Sequence, residues 1–355
     1  MRSGQQWSQW AGLVLVLSLT IAGCAESKKP GTTGGATGGS AGATATKEGA
    51  DVASVANLPG CAGAVLPSLV TIEKGEYVPL SRPLFVYVNK KALKKPEVAG
   101  YVKVLLGKAQ DYVEKAGFIK LKESLLKEQQ AKLDAEIADV KIPEKITEGS
   151  VSANGSSTVF PFSVVAAELF EKANENVRVT VGKKGTGGGF EKFCIGETDI
   201  SNASRPIKQS EIDKCAKNKV EFIELTVCID GLTVCVNPAN DWCNCLTVEQ
   251  LNALWEPESK IKKWKELNPA WPDVDIELFG ADTDSGTFDY FTEVIVGKSK
   301  SSRSDYTASS EDNQLVIGIS TNKHALGYFG YSYYDKNRKK LKAVGIIPAA
   351  PTEKK

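Results

Sequence analysis

The chain has 355 residues, with 44 lysines and arginines against 43 aspartates and glutamates, and a single histidine, His324. Such a neutral chain lacks the basic surface that general nucleic-acid binding requires, and one histidine excludes any site that needs two or more. Hydrophobic residues at 42% and charged residues at 25% are ordinary globular values, and the length is sufficient for two domains with cores of their own.

The N-terminus has the pattern of an export signal. Arg2 precedes an apolar run, Ala11–Ala22, that is too short to span a bilayer as a permanent helix. The run leads into Gly23 and Cys24, and small residues before a cysteine are typical of a bacterial lipobox. We therefore predict a lipoprotein signal peptide over 1–23 and a lipidated Cys24. The protein would be exported to the periplasm or cell surface and held at the membrane by its lipid alone. An ordinary signal peptide with a chance cysteine is the alternative.

Residues 24–59 are rich in Gly, Ala, Thr, Ser and Lys, which predicts a flexible linker behind the anchor. In an exported protein, cysteines form disulfides more often than they bind metal ions. If Cys24 carries lipid, seven cysteines remain, so at least one is free or pairs between molecules. Cys243 and Cys245 have C-x-C spacing rather than the C-x-x-C of common zinc sites, and we predict no metal site.

Folded sequence begins near residue 60. Leu84–Val88 is a short apolar run typical of a strand. Pro96 begins a stretch in which apolar residues recur every three or four positions, which predicts an amphipathic helix. A second, more polar helix is predicted over about Lys122–Ala138, and Pro143 ends it.

From Gly149 onward, predicted strands and helices alternate, which favours an α/β fold. The predicted strands are Val177–Val181, Glu221–Leu225, Gly231–Val236, Ile276–Phe279 and Gly327–Tyr331. The predicted helices are Phe162–Ala173, Gly189–Phe193, Val248–Trp255, Thr287–Val296 and Asn313–Ser320.

Three loops rich in glycine and hydroxyl side chains precede predicted helices: Gly155–Thr158, Gly185–Gly189 and Asp284–Thr287. Ser and Thr are good N-caps, and the unpaired N–H groups of a helix N-terminus suit an anion. Helix capping explains each loop taken singly, and none is a strict phosphate-loop motif. Three such loops in one chain favour a shared site for a small oxyanion.

A fourth element, Asp199–Ile207, is typical of a strand end followed by an exposed turn. Arg205 in this turn has the planar fork that binds an oxyanion through two hydrogen bonds. The alternative is that Arg205 pairs with Asp199 or another carboxylate.

Five motifs follow one another between about residues 150 and 345. They are Asn154–Pro161, Asp199–Ile207, Asp230–Pro238, Thr283–Phe291 and Ala325–Tyr331. Together they resemble the phosphate-binding protein (PstS/SphX type) of bacterial ABC phosphate importers. The resemblance implies a type II periplasmic-binding-protein fold, with two α/β lobes joined by hinge strands and the ligand in the cleft between them.

The N-terminal part resembles the C-terminal end of the same family. Pro79–Val88 and Lys95–Val98 look like the segment that normally follows the strand near Gly327–Tyr331. The resemblance therefore implies a circular permutant, with a fusion or duplicated fragment as the alternative. It implies lobe A over 81–232, lobe B over 60–80 and 233–348, a tail over 349–355, and crossings near Leu80–Leu84 and Gly231–Asn237.

Carried over by motif, the implied phosphate ligands are Ser157, Thr158, Thr186, Gly187, Ser285, Gly286 and Thr287. Two positions depart from the enteric form of the family. Ser204, which we keep in the predicted site, stands where that form has the Asp that accepts the proton of hydrogen phosphate. Ala281–Thr283 stands where it has an Arg. We assign the acceptor to Asp284 and the cation to Arg205, with Arg303 as a second candidate.

The resemblance also implies disulfides Cys194–Cys215 and Cys61–Cys245, which leaves Cys228, Cys235 and Cys243 unassigned. It implies a monomeric subunit that binds inorganic phosphate and hands it to the permease of an ABC importer, without catalysis and without a cofactor.

Three alternatives stay open. The ligand could be sulfate, molybdate or an organic phosphate, because a missing or misplaced acceptor weakens discrimination against sulfate. A phosphohydrolase is disfavoured by the lack of a histidine cluster or an obvious carboxylate metal site. An extracellular sensor would keep the lobes without transport, and the sequence does not separate it from a transport subunit.

Overall fold

The computed structural model describes residues 55–349; the predicted signal peptide, Cys24 and most of the linker and tail lie outside them. The strands are β1 (Ser81–Asn89), β2 (Gly149–Gly155), β3 (Val177–Val181), β4 (Ile200–Ala203), β5 (Phe222–Val236), β6 (Cys245–Thr247), β7 (Glu277–Ala281), β8 (Thr307–Ser309), β9 (Ala325–Gly330), β10 (Lys342–Ala343) and β11 (Gly345–Ile347). The helices are α1 (Leu69–Glu73), α2 (Pro96–Leu105), α3 (Glu123–Glu136), α4 (Phe160–Ala173), α5 (Gly185–Phe193), α6 (Gln209–Lys217), α7 (Val248–Trp255), α8 (Trp264–Leu267), α9 (Gly286–Phe291), α10 (Asp312–Thr321) and α11 (Tyr331–Asn337). No helix in residues 55–349 is both long and apolar enough to cross a bilayer.

One mixed sheet organises the described residues, with the strand order β3-β2-β4-β1-β5-β9-β7-β8 and β10 attached to β5. β2 runs parallel to β3 and β4, and β7 runs parallel to β8 and β9. The two parallel groups are joined by antiparallel pairing of β1 with β4 and β5, and of β5 with β9. The expected α/β class is therefore confirmed.

Strand β5 is longer than the sequence predicts, because the two predicted strands Glu221–Leu225 and Gly231–Val236 are one 15-residue strand. Asp230 and Gly231, which look like a break in the sequence, pair with Arg82 and Ser81 of β1. Beyond them, Leu232–Val236 pairs with β9. The strand is thus continuous through the centre of the sheet.

The buried hydrophobic side chains form two large cores, one for each half of the sheet. The first draws its residues from Leu84 to Cys228 and packs α2 and α4 against the strands. The second runs from Ile72 to Leu80 and from Leu232 to Ile346, and contains the aromatic stack of Phe291 on Tyr328, whose ring centroids lie 3.6 Å apart. Ile119 belongs to the second core, because it pairs with Ile229 on β5.

Both expected disulfides, Cys61–Cys245 and Cys194–Cys215, are present. The three unassigned cysteines, Cys228, Cys235 and Cys243, are buried thiols. Burial raises the pKa of the Cys243 thiol to about 12, so this thiol stays protonated at neutral pH.

Candidate functional site

Ser157 and Thr158 lie in the loop that joins β2 to α4, and the backbone conformation of Gly155 determines the direction in which this loop leaves β2. Gly155 has a φ of +139°, and a Cβ there would collide with the carbonyl oxygen of Asn202 on β4. Ser156 Oγ accepts a hydrogen bond from the N–H of Thr158 at 3.2 Å. This short-range bonding holds the Ser157 and Thr158 hydroxyls at the carboxyl end of β2.

Thr186 and Gly187 lie in the first turn of α5, against the residue that follows β4. The hydroxyls of Thr186 and Ser204 are 3.1 Å apart, and the N–H of Ser204 donates to Thr186 Oγ1 at 3.2 Å. Position 189 requires a glycine, because a Cβ there would lie only 2.5 Å from Gly155 Cα. This close packing places the start of α5 beside the β2–α4 loop.

Ser285, Gly286 and Thr287 come from the other half of the sheet and begin α9. Ser285 caps the helix, since its Oγ accepts from the N–H of Thr287 at 3.1 Å. A Cβ at Gly286 would lie 3.2 Å from Thr158 Cα, so the third loop lies directly against the first.

Two cavities meet at these loops and share Ser157 and Thr158 as walls. The smaller has a volume of about 180 Å³ and is lined by Arg82, Ser156, Ser157, Thr158, Gly185, Thr186, Gly187, Ser204, Arg205, Asp289, Glu293 and Ser299. The larger, about 590 Å³, includes Asp284, Ser285, Gly286 and Thr287 in its walls. Every predicted phosphate ligand except Arg303 thus lines one or the other of these adjoining cavities, and Ser157 and Thr158 line both.

Arg205 lines the smaller cavity, but its terminal nitrogens are engaged within its own half of the molecule. Nη1 and Nη2 donate to the two carboxylate oxygens of Glu211 at 2.9 and 2.8 Å. This pairing raises the pKa of Arg205 further above its ordinary value. The alternative of a carboxylate partner is therefore realised, with Glu211 rather than Asp199, which pairs with Lys95 instead.

Arg303 lies away from both cavities, so the expectation that it is a second cation of the site is wrong. Its Nη1 donates to the carbonyl oxygens of Leu254 and Ile261 at 2.9 and 2.8 Å, and its Nε and Nη2 bond to Asp305. The hydrogen bond from Arg303 lowers the pKa of Asp305 to about 2. Arg303 therefore acts as a buried tie between backbone segments.

The predicted acceptor, Asp284, is exposed on the rim of the larger cavity. Asp289 lies deeper, and its Oδ2 accepts a hydrogen bond from the Ser157 hydroxyl at 3.2 Å. Its Oδ1 is buried without a hydrogen-bond partner among the described residues. Asp289 lies in the motif Thr283–Phe291, but the motif alone implies no role for it. Its position one helical turn after Ser285 is the feature of the sequence that places it at the site.

Two charged residues of the smaller cavity, Arg82 and Glu293, have no part in the sequence prediction. Arg82 comes from β1, and Glu293 follows α9 in a π-helical turn, Thr292–Val296. Nothing in their spacing along the chain links them to the three loops. Among the described residues, no group of three or more His, Cys, Asp and Glu side chains could hold a metal ion.

A family model described as "PBP superfamily domain" matches residues 143–354, more than half of the chain. The chain is 47% identical over 199 residues to protein SphX of Synechococcus elongatus, which covers 56% of this chain and 58% of that protein. It is 42% identical over 201 residues to the phosphate-binding protein PstS of Staphylococcus saprophyticus, covering 56% and 61%. The chain thus spans less than two thirds of the length of these relatives.

Among solved structures, the chain is similar to a possible phosphate binding protein from Planctomyces limnophilus, with 52% sequence identity and a TM-score of 0.56. The match covers 59% of this chain and 75% of that one. The chain belongs to the PBP superfamily and has the type II periplasmic-binding-protein fold.

Proposed function

For this member of the PBP superfamily, we propose a binding function without catalysis: it takes up inorganic phosphate in the cleft at the smaller cavity and delivers it to the permease of an ABC importer. One observation carries the proposal. Hydroxyls and backbone groups of the β2–α4 loop, of the first turn of α5 and of the residue after β4 surround one small cavity that also contains arginine side chains. The third glycine-rich loop, which begins α9, lines the larger cavity that adjoins it at Ser157 and Thr158. Such an array suits a small tetrahedral oxyanion.

The proposed ligand set is Ser157, Thr158, Thr186, Gly187, Ser204, Arg205, Ser285, Gly286 and Thr287. The names of the relatives support phosphate as the anion, since two of them are described as phosphate-binding proteins. Export, the lipid on Cys24 and a monomeric state belong to the same proposal and rest on the sequence alone.

We propose further that the two cores are the cores of two lobes, over 81–232 and over 60–80 with 233–348. Strands β1 and β5 each pass from one core to the other, near Leu80–Leu84 and near Cys228–Leu232, and these two segments pair with each other. Within the range of the first lobe, Ile119 also packs in the second core. Two adjacent strands that pass between lobes are a suitable hinge for closure around a ligand.

We infer a circular permutation from the extent of the family match. The match begins at residue 143, yet β1, which precedes it, lies inside the sheet between β4 and β5. The matches cover 58% and 61% of the two relatives, so about 40% of the length of each relative has no counterpart in the matched part of this chain. A segment of the family placed first in this chain accounts for both facts.

The test is isothermal titration of the full-length chain, stripped of bound anion, with phosphate and then sulfate at pH 7.5. A dissociation constant of about 1 μM or below for phosphate, with no heat from sulfate, would support the proposal. Equal binding of both anions would favour a general oxyanion carrier. Absence of binding to either would contradict phosphate uptake as the function.

An extracellular phosphate sensor is the second candidate, because the same cleft would serve it. Co-purification of the chain with a permease under phosphate starvation would separate transport from sensing.

A further inference from the structure

We propose that Arg82 is the cation that binds the anion in the smaller cavity, and that Glu293 forms an ion pair with the Arg82 guanidinium when no anion is bound. The inference rests on the proposed function, since it concerns the same oxyanion site.

The Arg82 side chain is only 13% exposed, but its hydrogen bonds are few and long. Nη1 donates to Glu293 Oε2 at 3.2 Å, and Nη2 donates to Thr158 Oγ1 at 3.4 Å. Nε is buried without a hydrogen-bond partner and lies 3.5 Å from Asp230 Oδ2. A buried guanidinium has five N–H donors, so this one keeps hydrogen-bonding capacity beside the Thr158 hydroxyl.

The surroundings of Arg82 fix its position. Its Cζ lies 3.5 Å from the centre of the Tyr290 ring, a cation–π contact. Tyr290 is itself held by a hydrogen bond from its hydroxyl to the carbonyl oxygen of Pro79 at 2.7 Å. The guanidinium is therefore preorganised at the cavity wall, which reduces the ordering cost of binding an anion.

The two carboxylates near Arg82 differ in how easily they can leave. Asp230 is 6% exposed and sits within β5, so it stays in place, and its burial raises its pKa against the opposing effect of Arg82. The Glu293 side chain is 48% exposed. An exposed ion pair is weak, so a phosphate oxygen in the cavity can replace the Glu293 carboxylate at Nη1.

Arg205 is less suited to the same task, although it lines the same cavity. Both of its terminal nitrogens already donate to Glu211 at 2.8–2.9 Å, in the two-point geometry that phosphate itself would require. Of the two arginines of the cavity, Arg82 thus has the weaker existing bonds, and one of them is to the hydroxyl of a proposed ligand, Thr158.

The test compares Arg82→Gln with the matched control Arg178→Gln in the full-length chain, by isothermal titration with inorganic phosphate; Arg178 is exposed on β3 and lines neither cavity. We expect Arg82→Gln to weaken binding about 30-fold or more, Arg178→Gln to leave it unchanged, and Arg205→Gln to weaken it less than Arg82→Gln does. Phosphate binding by Arg82→Gln within about threefold of the wild type would overturn the inference, while the wild-type titration would still support the proposed function. A wild type that binds no phosphate would overturn both.

Arg82→Gln leaves Asp230 as a buried charge without its partner, which can unfold the chain. The double variant Arg82→Gln/Asp230→Asn removes both charges and must show the same loss of phosphate affinity. Glu293→Gln tests the displacement step from the other side. It is expected to bind phosphate about two- to tenfold more tightly than the wild type, because no carboxylate then competes for Arg82. Unchanged or weaker binding by Glu293→Gln would overturn the displacement.

Discussion

If the smaller cavity binds phosphate as proposed, Asp289 is the residue best placed to distinguish phosphate from sulfate. Its Oδ1 is buried without a hydrogen bond and lies 3.8 Å from Lys300 Nζ, and its Oδ2 accepts only a moderate bond from Ser157 at 3.2 Å. At neutral pH phosphate carries a proton that it can donate to a carboxylate, whereas sulfate carries none. A carboxylate in the cavity thus accepts a hydrogen bond from hydrogen phosphate that offsets their repulsion, whereas it only repels sulfate.

We therefore predict that Asp289→Asn narrows the preference for phosphate over sulfate by about 10-fold or more, because a hydrogen bond to a charged group contributes about 1.5–3 kcal/mol. Titration of the variant with each anion gives the ratio directly. Asp284→Asn is the control, since Asp284 is exposed on the rim of the larger cavity. If Asp284→Asn rather than Asp289→Asn changes the ratio, the acceptor suggested by the sequence alone is the right one.

Individual site residues were predictable where they lie in a compact motif. The hydroxyls of Ser157, Thr158 and Thr186 were assigned by resemblance, and they line the smaller cavity. Arg82 was not, because it lies 76 positions from Thr158 and meets it only through the strand order of the sheet. The true partners of Arg303 could not be predicted either. They include the backbone carbonyl of Leu254, which becomes its neighbour only in the folded chain.

Strands and helices were predictable when their side chains carry a clear apolar pattern. The predicted bounds of β3 agree with the observed strand, and α4 begins two residues before its predicted start. The sequence does not predict β2, because GSVSANG is made of small and polar residues with little strand preference. Small residues are needed at the end of β2, since α5 packs closely on Gly155 through Gly189.

The N-terminal piece before α1 depends on covalent attachment more than on packing. It contributes Val55, Cys61 and Ala64 to a small cluster with Cys245, and the Val65 and Ile346 backbones exchange two hydrogen bonds of 2.9 Å. So small a cluster stabilises the segment only modestly. The Cys61–Cys245 disulfide closes a long loop, with a sequence separation of 184.

We predict that Cys61→Ala/Cys245→Ala lowers the free energy of unfolding by about 3–5 kcal/mol, because the long loop then gains chain entropy in the unfolded state. Chemical denaturation under non-reducing conditions measures the change. Cys194→Ala/Cys215→Ala is the matched control, with a sequence separation of only 21 and a smaller expected loss of about 3 kcal/mol. An unchanged denaturation midpoint for the first variant would show that noncovalent contacts hold the segment.

The order of the segments along the chain can change without a change in the positions that they take in the fold. Val55 lies beside Gly345, since a Cβ on Gly345 would be 3.1 Å from Val55 Cγ1. The ends of the described chain are therefore close together. The connection from α3 to β2, in contrast, runs through a largely exposed segment around residues 141–145. Chain ends can be moved to such a segment when the old ends are near enough to be joined.

We predict that a rearranged chain, residues 143–349 joined by a short glycine-serine linker to residues 55–142, folds and binds phosphate within about threefold of the natural order. All strand pairings survive this change, including those of β1 with β4 and β5. Titration and thermal unfolding of the two orders make the comparison. Residues 143–349 alone are the control and should fail to fold, because removal of β1 takes away the strand that joins β4 to β5, as well as Arg82. Should the control fold and bind phosphate as well as the full chain, the N-terminal segment would be an addition to a complete fold, and both the permutation and the role of Arg82 would be wrong.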